Sequence, residues 1–182
     1  MNKTLTLLAV VIATAATSFA GTAVSSKKVV VAPQQDLFRA GEFQVDAAAV
    51  GAAGKFNGKT FGAFGGNLGL TYFITKYIGI GIDDSLGGQV GGKNSSVNGA
   101  LDNLQGQIIA RLPIESWHLA PYAMVGGGAT WANAGSQSNG NVGGGVEYRI
   151  NRSIGLFADS RYIYGNRGLN ESLNRAGLRF IF

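Results

Sequence analysis

The chain has 182 residues, a formal net charge of +5, 14% charged residues, 29 glycines and no cysteine. Without cysteine there is no disulfide framework and no thiol for a lipid anchor, and a thinly spread charge gives no basic stripe for nucleic acid. The hydrophobic fraction of 46% looks soluble, yet strands that alternate apolar and polar residues average out in this way and can cross a membrane without any long apolar run.

Met1 to Lys3 carries one positive charge, and Leu5 to Ala16 is an apolar stretch dotted with threonine. Ser18, Phe19 and Ala20 then place small residues at the third and first positions before a cut. This layout predicts a cleaved secretory signal peptide over 1–20, with cleavage after Ala20; it is too short and too weakly flanked for a spanning helix. Residues 21–40 read as a lead-in, with Lys27, Lys28 and Pro33 around a Val29–Val31 run that could form a small extra strand.

From Glu42 the pattern has period two, which puts alternate residues on opposite faces of a strand. Phe43, Val45, Ala47 and Ala49 share one face, Gln44 and Asp46 the other. A second strand sets Leu68, Leu70 and Tyr72 against Asn67, Gly69 and Thr71, and a third sets Ile78, Ile80 and Ile82 against Gly79, Gly81 and Asp83. The fourth sets Ile108, Ala110 and Leu112 against Gln105, Gln107 and Arg111. A fifth runs over 118–131, its faces blurred by Gly126 to Gly128. The sixth sends Val146, Tyr148 and Ile150 one way and Gly145, Glu147 and Arg149 the other. In the seventh, Ile154, Leu156, Ala158 and Tyr162 oppose Gly155, Phe157, Asp159 and Arg161. The eighth ends the chain, with Leu178, Phe180 and Phe182 opposite Gly177, Arg179 and Ile181.

Short turns fall near 75, 114 and 152, and longer Gly/Asn/Ser-rich links near 54–62, 88–100, 132–141 and 165–173. Short turns at one end and longer loops at the other are the habit of outer-membrane barrels, whose spanning strands run about 9–11 residues. The predicted fold is therefore all-β: an eight-stranded antiparallel transmembrane β-barrel, an up-and-down meander over 41–182, with both termini periplasmic. Tyr72, Tyr77, Trp117, Trp131, Tyr148, Tyr162 and Tyr164 fall near strand ends, where aromatic girdles belong.

Seven charged residues share one phase. Asp46, Asp83, Arg111, Glu147, Arg149, Asp159 and Arg161 all fall on the polar face. Arg or Lys facing lipid near the midplane costs about 2–4 kcal/mol, while the interior of an eight-stranded barrel is just wide enough to be filled by side chains. The seven are expected to form an interior charge network that plugs the barrel, with inward glycines leaving room for long side chains.

Motifs for other chemistry are weak. Ala53 to Thr60 fits a relaxed phosphate-loop pattern, but the glycine-rich Phe61 to Gly66 that follows is a poor helix, and the mechanism needs a helix N-terminus there. His118 is the single histidine and stands beside a short turn, so it reads as a turn or girdle residue. Asp83 and Asp84 are adjacent on a strand and point to opposite faces. No catalytic, cofactor or metal site is predicted.

The residues Gly143 to Ile150, then Asn151 and Leu156 to Tyr162, together with a terminal strand ending in Phe, are similar to the penultimate hairpin and C-terminal signal of small bacterial outer-membrane barrels of the OmpA/OmpX and opacity type. That resemblance implies an outer-membrane location and lipid and lipopolysaccharide as surroundings. It also implies a monomer delivered by periplasmic chaperones to the barrel-insertion machinery, which reads Gly177, Phe180 and Phe182. The chain departs from OmpA in lacking a peptidoglycan-binding domain. The expected function is a structural, surface-contact or narrow porin-like role without enzymatic activity; the alternative is an enzyme acting on lipid A or phospholipid.

Overall fold

The computed structural model describes residues 36–56, 59–91, 99–132, 135–165 and 168–182; the predicted signal peptide, the Val29–Val31 run and most of the lead-in lie outside them. Eight strands follow in chain order: β1 (Glu42–Phe56), β2 (Lys59–Phe73), β3 (Ile78–Gly91), β4 (Gly99–Arg111), β5 (Leu119–Ala132), β6 (Gly135–Arg149), β7 (Ile154–Gly165) and β8 (Asn170–Ile181). Each pairs antiparallel with its sequence neighbours, and β8 returns to β1 to close the barrel. The short turns near 75, 114 and 152 and both described termini share one end, the turn end. The opposite end is the loop end.

Terminal Phe182 belongs to the closing seam. Its amide donates to Phe43 O at 2.8 Å, the Phe43 amide donates to Phe182 O at 3.2 Å, and the two rings lie 6.4 Å apart. Gly177, on the inward phase, is needed for this seam because a Cβ there would stand 2.2 Å from Ala47 O. Such an approach tolerates only glycine.

The predicted faces hold on every strand for which they were assigned. Leu68, Ile80, Ile82, Ile108, Val146, Leu156 and Leu178 are exposed on the outer wall, while Asn67, Asp83, Gln105, Glu147, Asp159 and Arg179 are buried inside. β5, whose faces the glycines obscured, turns Ala120, Tyr122, Met124 and Thr130 inward and Val125 and Trp131 outward. Burying charge while exposing isoleucine and leucine inverts a water-soluble protein, and the cost of exposing that much apolar surface disappears only in hydrocarbon. Tyr72, Tyr77, Trp117 and Tyr148 rim the wall towards the turn end, and Trp131, Tyr162 and Tyr164 towards the loop end; all seven are exposed.

The strands are longer than expected, at 12 to 15 residues. Segments read as links are strand: Ser136 to Gly140 lies within β6, and Glu171 to Leu173 within β8. A 15-residue strand rising about 3.3 Å per residue and tilted about 40° reaches roughly 38 Å along the barrel axis, well beyond an apolar band of about 25 Å. The excess lies at the loop end, where the pattern reverses. There Ser136, Ser138, Asn170 and Asn174 are exposed, and Leu101, Ile163 and Leu173 are buried. Within the belt the outside is apolar apart from Asp84 of β3, which meets Asp102 of β4; beyond it the barrel is built like a soluble protein.

Candidate functional site in the barrel interior

The inward phase of the strands stacks polar side chains into two ion clusters, each balanced in charge. At the turn end are three acids, Glu42, Asp46 and Glu147, and three arginines, Arg111, Arg149 and Arg179. Arg179 grips Asp46 with two parallel bonds, from Nε to Oδ1 and from Nη2 to Oδ2, both 2.7 Å, and donates from Nη1 to Glu147 Oε2 at 2.7 Å. Arg149 donates to both Glu147 and Glu42, and Arg111 Nη1 donates to Glu42 Oε1 at 3.0 Å. The Arg111 guanidinium carbon also lies over the Phe73 ring, 3.6 Å from its centroid.

The second cluster sits at mid-barrel and joins Asp83 and Asp159 to Arg161 and Arg175. Arg175 holds Asp159 through two bonds of 2.9 and 2.7 Å and reaches Asp83 at 3.2 Å. Arg161 takes Asp83 with bonds of 3.1 and 3.0 Å, while Gln107 and Asn67 donate to the same carboxylate at 2.9 and 3.2 Å. Tyr122 Oη donates to Asp159 Oδ2 at 2.8 Å. The Phe157 ring separates the clusters, with Arg179 4.7 Å and Arg175 5.6 Å from its centroid. Doubly bonded guanidinium–carboxylate pairs are the geometry that offsets desolvation best. Space for them comes from small neighbours: a Cβ on Gly69 would sit 3.2 Å from Asp83 Cβ and 3.4 Å from Asp46 Cβ.

Towards the loop end the chemistry changes to amides. Asn141 donates to Gln105 at 2.7 Å, Gln105 to Asn103 at 3.3 Å, and Asn103 to both oxygens of Glu171 at 3.3 and 3.4 Å. Glu171 is 1% exposed, and among the described residues no cation is paired with it. Alongside them packs an apolar cluster of Val50, Phe61, Leu101, Ile163, Leu169 and Leu173.

The seven residues singled out from the sequence therefore divide between the clusters, with Asp46, Arg111, Glu147 and Arg149 in the first and Asp83, Asp159 and Arg161 in the second. Among the described residues four further interior charges lie outside that set: Glu42, Glu171, Arg175 and Arg179, the last placed on the inward phase by the sequence but not in its network. Extending the period-two phase of β1 back by two residues reaches Glu42, and that of β8 from Arg179 reaches Arg175 and Glu171. His118 lies outside the interior. It is exposed, closes the 3₁₀ turn Glu115–Trp117 with φ of 56°, and stacks on Tyr148 at 6.4 Å. The described residues of the phosphate-loop candidate fall on β1 and β2, and Phe61 to Gly66 is strand where a helix would be required.

Neither a protein-family model nor a curated sequence matches the chain. Solved structures do. Neisserial surface protein A superposes with a TM-score of 0.66 at 20% identity, covering 76% of this chain and 96% of that one. The outer membrane protein OprG of Pseudomonas aeruginosa gives 0.61 at 10% identity, covering 81% and 99%. Ail, the attachment invasion locus protein of Yersinia pestis, gives 0.57 at 15% identity, covering 79% and 99%. At these identities the likeness is one of fold: a closed eight-stranded meander.

Proposed function

We propose that this chain, folded as those small barrels are, is an integral protein of a bacterial outer membrane, sealed along its axis, with a structural or surface-presenting role rather than an enzymatic or conducting one. The observation that carries this reading is the pairing of an apolar outer belt with an interior whose arginines are committed to carboxylates. A pore needs a continuous path along the axis wide enough for water or solute, and a hydrolytic site needs a nucleophile, base or metal ligand free to meet substrate. Here five acids and five arginines neutralise one another in two closed clusters, and amides and apolar side chains surround the remaining acid, Glu171, in the loop-end part of the interior.

The turn end, with both described termini, faces the periplasm in this proposal, and the extended strand ends project outward from the cell. The terminal Phe180 and Phe182, with Gly177, serve as the insertion signal. Because the native chain has no cysteine, single substitutions report topology cleanly. Lys55→Cys near the loop end is expected to react with a membrane-impermeant maleimide on intact cells, and Thr75→Cys at the turn end only after the outer membrane is opened. Labelling of position 75 but not 55 on intact cells would reverse the orientation, and equal labelling of both only after lysis would remove the protein from the cell surface.

A further inference from the structure

The six residues before β1 do more than lead into it. Gly41, with φ of 74°, turns the chain under the barrel, and its amide donates to Phe73 O at 2.8 Å. The turn places Phe38 against the turn-end ion cluster, where it is fully buried, its ring centroid 4.7 Å from the Arg149 guanidinium and 5.1 Å from that of Arg111. Three polar contacts fix the segment. Leu37 N donates to Glu115 Oε2 at 3.0 Å, Arg39 N to Glu42 Oε2 at 3.2 Å, and Arg111 Nη2 to Arg39 O at 3.3 Å. Glu115 comes from the 3₁₀ turn between β4 and β5, on the far side of the mouth from β1. The segment thus ties two separated parts of the rim together and lays an aromatic ring over two buried cations.

We infer that residues 36–41 are a stopper for the turn-end mouth, and that Phe38 keeps solvent from the Glu42–Arg111–Arg149 group. A guanidinium beside a ring face is stabilised most where water is excluded, so the ring and the cluster protect each other. The stopper works from the outside of the cluster inward. Removing it opens the last layer before the periplasmic side while leaving the mid-barrel cluster and the loop-end apolar cluster in place. It rests on the sealed-barrel reading above, but the two fail separately: conduction tests the whole axis, and access to Arg111 and Arg149 tests this mouth alone.

The probe is phenylglyoxal, an arginine-selective dicarbonyl, applied to the full chain folded in detergent, with modified sites read by peptide mass spectrometry. In the unsubstituted protein Arg111 and Arg149 are expected to be protected along with Arg175 and Arg179. In Phe38→Ala the first two should react about tenfold faster or more, the scale of one lost local closure, with Arg175 and Arg179 unchanged. Glu115→Ala, which loosens the tether without touching the barrel wall, should give a smaller rise at the same two sites and decides the matter if Phe38→Ala fails to fold. Unchanged rates at Arg111 and Arg149 in a folded variant, or free reaction of both in the unsubstituted protein, would overturn the stopper.

Discussion

Arg179→Met is expected to lower the stability of the folded barrel by about 3–5 kcal/mol, the scale for removing one partner of a buried ion pair. Arg179 supplies three of the shortest charge-assisted bonds in the interior, two to Asp46 and one to Glu147, all at 2.7 Å. Methionine fills much of the same volume but donates nothing, so Asp46 is left without its guanidinium and Glu147 keeps only Arg149 and a longer contact to Arg111 at 3.9 Å. The cost is therefore that of stranded carboxylates rather than of the pairs themselves, which are worth little net against an apolar isostere. Urea unfolding of the protein in lipid vesicles measures it. A loss below about 1 kcal/mol, the worth of an exposed pair, would mean that water reaches the cluster.

Ile108→Arg tests the outer wall in the same way. Ile108 is 56% exposed and pairs across strands with Ile80 and Val125, both also on the outer face. If that face meets hydrocarbon, an arginine there costs about 2–4 kcal/mol, whereas one near the interface costs about 0–1. Ser136→Arg is the matched control, since Ser136 is exposed on the outer face of the loop-end extension of β6. The same unfolding measurement should separate the two by at least about 1 kcal/mol. Equal, small effects would mean that the belt around Ile108 faces water.

Strand phase was legible in the sequence wherever the outer residue is apolar and the inner one polar. β3 and β8 show why: Ile78, Ile80 and Ile82 alternate with Gly79, Gly81 and Asp83, and Leu178 and Phe180 with Gly177 and Arg179. The loop-end halves were not legible, because the alternation reverses there. Leu101 and Leu173 point inward while Asn170 and Asn174 face out, so a segment obeying one rule in lipid obeys the opposite one above it. Across the reversal period two loses its contrast, and clusters such as Ser136 to Gly140 read as links. The ion clusters were half legible for the same reason. Residues on well-phased stretches, such as Glu147 and Arg161, were recognisable, whereas Arg175 sits where β8 leaves its apolar stretch, outside Asn174 being polar. The apolar cluster beside Glu171 had no sequence signal, since Val50, Phe61, Leu101 and Ile163 come from four strands and meet only on closure.

The most direct test of a sealed membrane barrel is the conductance of the refolded protein in a planar bilayer, with its folded state verified by the heat-dependent gel shift and unfolded protein as control. The two ion clusters and the apolar cluster predict silence from the folded protein across a range of voltages. Steady, reproducible openings, absent from the unfolded control, would mean that the paired acids and arginines line a path instead of closing one.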